Sequence, residues 1–76
     1  MDPQIAWKDL RDAYAEKNLD DMQSSAADLM EWLDQGWFPP QTSSDPPMDE
    51  HWNRMVARAA CHFVLHAVTL HRRTQP

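Results

Sequence analysis

Hydrophobic residues recur with a helical period in two short segments at the start of the chain. In the first, over about 3–17, one stripe consists of Pro3, Ala6, Trp7, Leu10, Ala13 and Tyr14. In the second, over about 19–35, the stripe consists of Met22, Ala26, Leu29 and Leu33, with Met30 and Trp32 on its flanks. Asp2 and Asn18 are typical N-caps for these helices, and Gly36 is a typical helix end. Because the link between the segments is very short, we predict an antiparallel helical hairpin.

A third and longer periodic segment runs over about 46–73, with Asp45 and Pro46 at its predicted start. Its predicted core side carries Trp52, Met55, Phe63 and Leu70, which we expect to pack on the hairpin. The apolar sector of this helix is about 180° wide, which is wider than a surface helix needs. The remaining apolar side therefore predicts an interface with a second copy of the chain, unless the loop covers it. The predicted interface residues are Ala57, Cys61, Val64, Leu65 and Val68.

The segment 36–47 is rich in proline and lacks a helical period. It contains Trp37, Phe38, Pro39 and Pro40, whose rings we expect to be pinned over the helix pair. An alternative is that this stretch is a partner-binding loop, because aromatic-proline segments are ligands of other proteins. The three segments together predict an all-α, three-helix domain over 1–76, formed by a short antiparallel helical hairpin, a Pro-rich loop and a long hydrophobic third helix.

Charge adds a second pattern to this one. The chain of 76 residues carries twelve acidic and seven basic residues, a net charge of −5. All twelve acids lie in 1–50 with only three basic residues, which gives −9, whereas 51–76 carries four arginines and no acid, which gives +4. A split of this kind predicts that the acidic hairpin and the basic third helix face each other, within one chain or between two.

Several classes of protein are disfavoured by the composition. The acidic net charge disfavours a nucleic-acid partner, and Cys61, the single cysteine, cannot form an internal disulfide. No apolar run is long enough for a membrane helix, and the first ten residues do not have the pattern of a signal peptide. We therefore expect a cytoplasmic protein with no membrane partner.

Candidate chemistry is sparse. His62 and His66 lie four residues apart on the predicted third helix, a spacing that brings two imidazoles within reach of one metal ion. They are candidate metal ligands, although a site needs further ligands, and they are also candidates for a pH switch. Cys61 is expected to be a buried apolar residue, since His62 projects from a different side of the helix. Phosphate-binding loops and metal or catalytic motifs are absent from the sequence, so we expect no enzyme, no catalytic residues and no cofactor.

The hairpin over 6–40 resembles one tetratricopeptide-type helix pair. Trp7, Leu10 and Tyr14 have the spacing of the first helix of that repeat. Gln23 stands where the repeat has a small residue, the closing proline is displaced, and the chain holds no second copy. The resemblance therefore implies a helical hairpin and no binding residues. The function that we expect is a small non-enzymatic protein-interaction module that forms a homodimer through its third helix, and the alternative is a metal-binding or metal- and pH-sensing protein that uses His62 and His66.

Overall fold

Three helices account for most of the chain. The structure, a computed structural model, describes residues 1–74 and contains α1 (Pro3–Glu16), α2 (Leu19–Asp34) and α3 (Glu50–Thr74). Of residues 1–74, 74% are helical and none lies in a strand. The predicted all-α, three-helix fold is thereby confirmed. The last two residues of the predicted range 1–76 lie outside the described residues.

The hairpin is formed by α1 and α2, and side chains cap the start of each helix. Asp2 Oδ1 accepts a hydrogen bond from the backbone N–H of Gln4 at 2.9 Å. Asn18 Oδ1 accepts one from the N–H of Asp21 at 3.2 Å, and Asn18 Nδ2 donates to the Asp21 carboxylate at 2.9 Å. Each cap satisfies a backbone donor that the first turn of a helix leaves without an intrahelical partner. Both predicted caps are confirmed.

The turn between α1 and α2 depends on Lys17. Its φ of 58° lies in the left-handed region, which is uncommon outside glycine. The N–H of Lys17 donates to the carbonyl of Tyr14 at 3.2 Å, and the N–H of Asn18 donates to that of Ala13 at 3.1 Å. These bonds close the end of α1 and reverse the chain at once, although no glycine or other turn signal stands at this position in the sequence.

α2 is the central helix, and it packs against both α1 and α3. Of the predicted α1 stripe only Tyr14 is not buried, and the four predicted stripe residues of α2 are all buried. Met30 and Trp32 are half-buried at the edge of the same cluster. The interior of the hairpin therefore agrees with the 3.6-residue period of its sequence.

α3 begins at Glu50, four residues later than the prediction of Pro46. The predicted start over Asp45–Pro47 forms instead a tight turn that brings Ser44 opposite Pro47. Asp49 provides the real cap, because its Oδ1 accepts from the N–H of Trp52 at 2.8 Å. Asp45 and Asp49 are both suitable N-caps, four residues apart. The turn over the neighbouring prolines prevents a helix from starting at Asp45, so α3 starts after Asp49.

The assignment of the two sides of α3 was wrong. The side that packs on α2 consists of the predicted interface residues Ala57, Cys61, Val64 and Val68, which are at most 4% exposed, together with half-buried Leu65. The predicted core residues Trp52, Met55, Phe63 and Leu70 are instead 45–58% exposed. The physical reason is that α2 already fills the space with Leu29, Leu33 and Met22, so that small side chains on α3 let the two helices approach closely.

Two ion pairs show the direction in which α3 runs along α2. Arg58 pairs with Asp34 near the end of α2, and Arg72 pairs with Asp20 near its start. α3 therefore runs antiparallel to α2. The prediction that the acidic hairpin and the basic helix face each other is confirmed within the chain.

Arg54 extends this pattern to the end of α2. Its guanidinium donates to the carbonyls of Leu33 at 3.0 Å and of Trp37 at 2.7 Å, and more weakly to that of Gly36 at 3.5 Å. Gly36 has the left-handed conformation that the sequence predicted, with a φ of 82°. A cation at a helix C-terminus also interacts favourably with the helix dipole. Arg54 thus ties the start of α3 to the end of α2.

The loop between α2 and α3 is held at two points. Asn53, a buried polar residue of α3, accepts from the N–H of Thr42 at 3.1 Å and from its hydroxyl at 2.8 Å. Its amide donates to Gln41 Oε1 at 3.2 Å and to the Met48 carbonyl at 3.1 Å. On the other side, the Gln4 side chain exchanges two hydrogen bonds with the backbone of Gln41. The loop crosses from α2 over the start of α1 to α3, and it leaves the outer side of α3 uncovered.

Candidate interaction surface

The outward side of α3 carries an apolar row that runs along most of the helix. We call it the outer stripe, and its residues are Trp52, Val56, Ala59, Phe63, His66 and Leu70. Successive members are separated alternately by four and three residues, which is the spacing of a coiled-coil seam. Val56 is half-buried and the other five are exposed, as is Met55 beside them. Large apolar side chains in a row on a monomer surface indicate an interaction site.

An apolar groove borders the outer stripe on the side of α1. Its floor and walls include Trp7, Leu10 and Tyr14 of α1 and Ala60, Phe63 and Val64 of α3, and its volume is about 320 Å³. The rings of Tyr14 and Phe63 lie 5.8 Å apart and are inclined by 56°. Arg11 adds a charged side chain to the lining of this groove. The apolar surface therefore continues from α3 onto α1.

The two ends of the outer stripe carry opposite charges. Asp49 precedes its first residue, and Arg73 follows its last. Glu50 is 3.4 Å from Arg54 of the same helix. Between the two ends the flanking positions of α3 hold Met55, Ala60, His62, Ala67 and Thr69, none of which is an acid, a lysine or an arginine.

His62 and His66 are both exposed on the outward side of α3. His66 belongs to the outer stripe. Within the described chain, no group of three or more His, Cys, Asp or Glu side chains is placed to hold a metal ion. The two imidazoles are thus available on one side of the helix, and any further metal ligand would come from another molecule.

Cys61 lies on the opposite side of α3, where it is fully buried against the hairpin. Burial raises the pKa of its thiol from 9.0 to about 11, against a smaller lowering by the nearby Arg58. A thiol of this kind is a poor nucleophile at neutral pH. Its position as a buried apolar residue agrees with the sequence prediction.

The predicted partner-binding loop divides into two parts. Trp37 and Phe38 are 51% and 62% exposed, whereas Pro39 is half-buried and Pro40 is fully buried. The prolines are therefore packed inward, and the segment does not present an aromatic-proline ligand along its length. What it presents is two aromatic rings beside Trp32.

Sequence reasoning missed the outer stripe as an exposed surface, and it also missed Asn53 and Arg54. The sequence does contain a signal that the outer stripe is exposed. Arg54, Arg58 and Arg72 lie on the same side of the helix as Cys61 and Leu65, and the acids that they had to meet were all in the hairpin. The positions of the arginines thus indicated which side of α3 packs on the hairpin, whereas the large apolar residues indicated the opposite side.

Comparison of the chain with protein-family models, with curated proteins and with solved structures finds no match. Among the described helices, none combines the length and the apolar character that crossing a membrane would require. The outer stripe, the groove beside it and the aromatic rings of the loop are the surface features on which a function can be argued.

Proposed function

We propose that the protein is a small interaction module that forms a homodimer, with the outer stripes of two copies packed against each other in antiparallel orientation. The observation that carries this proposal is the exposed row of apolar side chains with coiled-coil spacing along α3. Burial of such a row removes apolar surface from water, which is the main favourable term in protein association. α3 has 25 residues, a length of about 37 Å, and this is enough for nearly three heptads of contact.

A second copy is the occupant that the sequence of the stripe favours. In an antiparallel pair centred on Cys61, Ala59 lies opposite Phe63 of the partner subunit, and Trp52 lies opposite Leu70 of the partner subunit. Each large side chain at the centre then meets a small one, and this is the complementarity that close packing requires. The small residues Ala60 and Ala67 beside the stripe also allow the two helices to approach closely.

Charge favours the antiparallel orientation over the parallel one. The antiparallel pair brings the Asp49 end of one copy next to the Arg73 end of the other, whereas a parallel pair brings like charges together. Glu50 and Arg72 are paired within the chain, with Arg54 and Asp20. The antiparallel arrangement also places the positive end of each helix dipole beside the negative end of the other, which is favourable. These contacts are at the rim of the interface, so they select the orientation more than they add affinity.

Sedimentation equilibrium of the wild type and of Ala59→Arg tests the proposal. Ala59 is exposed in the single chain, so the substitution leaves the fold intact while it places a charge in the proposed seam. We expect the wild-type mass to rise towards twice 8.9 kDa with concentration and the variant to remain a monomer. The matched control is Ala27→Arg, which adds the same charge at an exposed alanine of α2 and should dimerise like the wild type.

A wild type that stays monomeric at about 500 μM, where even weak pairs associate, would overturn the proposal, as would dimerisation of Ala59→Arg equal to that of the control. Val64 was also predicted to lie in the interface, but Val64→Arg is unsuitable as a test because Val64 is buried in the core of the chain.

A further inference from the structure

A second surface feature lies at the C-terminal end of α2, where three aromatic rings meet. We call it the aromatic notch, and it consists of Trp32, Trp37 and Phe38 with the carboxylates of Asp28 and Glu31. Trp37 packs edge-on to Trp32 with 4.5 Å between ring centroids, and the Phe38 ring stands perpendicular to Trp32 at 5.7 Å. The three rings enclose a shallow apolar hollow.

The rings are held in place by hydrogen bonds to the backbone that carries them. The indole N–H of Trp32 donates to the carbonyl of Phe38 at 2.7 Å, and Arg54 donates to the carbonyl of Trp37 at 2.7 Å. Pro40, two residues after Phe38, is fully buried. Trp37 and Phe38 are therefore exposed but fixed, and this lowers the entropy that a partner would lose in ordering them. Rigid exposed aromatic rings are typical of binding hot spots.

The wall of the notch next to Trp32 and Trp37 is acidic. Asp28, Glu31 and Gln35 line it together with both tryptophans and Met1. Asp28, Glu31, Trp32 and Gln35 follow the spacing of one helix side, so the two carboxylates and the indole of Trp32 point in one direction. Among the ion pairs of residues 1–74, none involves Asp28 or Glu31.

We propose that the aromatic notch binds an arginine side chain of a partner protein. A guanidinium stacks on the face of an indole, and a planar fork of donors matches a carboxylate at the edge of the same site. Trp37 and Trp32 provide the rings, and Glu31 and Asp28 provide the carboxylates. This site goes beyond the proposed dimerisation, and it depends on a different set of residues.

The proposal is tested by NMR titration of the Ala59→Arg chain, so that the result does not depend on whether the wild type dimerises. The probe is a hexapeptide of alternating glycine and arginine, and the readout is the indole N–H signals of Trp32 and Trp37. We expect both signals to shift and to saturate, with weaker binding of the same peptide built with lysine. Phe38→Ala and Glu31→Gln should each weaken binding roughly threefold, in line with one cation–π or carboxylate contact at an exposed site.

Glu16→Gln is the matched control, since it removes one exposed carboxylate from α1 and leaves the notch unchanged. If Glu16→Gln weakens binding as much as Glu31→Gln does, the peptide is attracted only by the overall negative charge, and the proposal fails. Equal binding of the lysine and arginine peptides, or indole signals that do not shift, would also overturn it. None of these outcomes bears on sedimentation of the wild type, so the two proposals stand or fall separately.

Discussion

Tyr14 of α1 and Phe63 of α3 bring their rings to 5.8 Å from each other across the groove between the two helices. Phe63 is nevertheless 58% exposed, so its ring contributes little to the core of the single chain. The same ring lies at the centre of the proposed dimer seam. The contribution of Phe63 to folding can therefore be measured separately from its contribution to the proposed association.

Phe63→Ala is expected to weaken the dimer much more than it destabilises the monomer. An aromatic pair of this geometry contributes about 1 kcal/mol beyond its buried area, so the free energy of unfolding of the dilute monomer should fall by roughly that amount. A central aromatic residue of an interface contributes about 2 kcal/mol or more, which corresponds to a loss of dimer affinity of more than about tenfold. Urea unfolding and sedimentation measure the two effects. Tyr14→Phe keeps the ring and should change neither, and a dimer unaffected by Phe63→Ala would contradict the proposed seam.

Arg54→Ala is expected to destabilise the fold by about 2 kcal/mol, because the carbonyls at the end of α2 lose a charged donor in a partly buried position. Arg58→Ala is the matched control. It removes an arginine of the same helix whose ion pair with Asp34 is well exposed on both sides, and such pairs contribute less than about 1 kcal/mol. Urea unfolding compares the two variants, and an equal loss in both would show that Arg54 does not clamp the end of α2.

The thiol of Cys61 is expected to react slowly in the folded chain at pH 8. Burial raises its pKa to about 11, so that the thiolate fraction at this pH is small, and the side chain is also shielded from reagents. Reaction with a thiol reagent should become fast on addition of urea. The same pKa shift makes the free energy of unfolding depend on pH, because the folded chain holds the thiol proton more tightly than the unfolded one. The contribution of Cys61 is therefore complete below pH 9 and is lost as the pH rises from 9 towards 11. Fast labelling without urea would contradict the burial of this side of α3.

His66→Leu is expected to tighten the dimer by about fivefold to tenfold, because the proposed seam then buries an apolar side chain in place of an imidazole. Sedimentation of the two chains provides the measurement, with His51→Leu, which lies off the outer stripe, as the control. A dimer whose affinity is unchanged by His66→Leu would argue against His66 in the seam.

The hairpin was predictable from its sequence because local rules determine it. Asp2 and Asn18 have the chemistry of N-caps, and the periodic stripes of α1 and α2 are what two packed helices bury. Lys17 was not predictable, since its left-handed conformation is required by the closure of the chain and not favoured by its side chain. The start of α3 was displaced for a related reason: both Asp45 and Asp49 can cap a helix, and only the turn over the neighbouring prolines decides between them.

The sides of α3 could not be assigned from hydrophobicity alone. Phe63 is more hydrophobic than Ala57 or Cys61, yet the small side chains are the ones that fit against α2. The choice depends on the volume left by Leu29 and its neighbours, which is a property of the packed helices and not of any one segment. The four hydrogen bonds of Asn53 likewise depend on where the loop crosses α3, so a buried amide at this position has no local signature.

A distance measurement between two copies tests the antiparallel pairing most directly. A single spin label at Thr69→Cys in a Cys61→Ala background occupies an exposed position beside the outer stripe, and pulsed dipolar spectroscopy reads the label-to-label distance in the dimer. With a rise of 1.5 Å per residue and helix axes about 10 Å apart, antiparallel pairing centred on Cys61 predicts about 25 Å. A distance of about 10–15 Å would mean parallel pairing, and the absence of any dipolar coupling at high concentration would mean that the outer stripe does not bind a second copy.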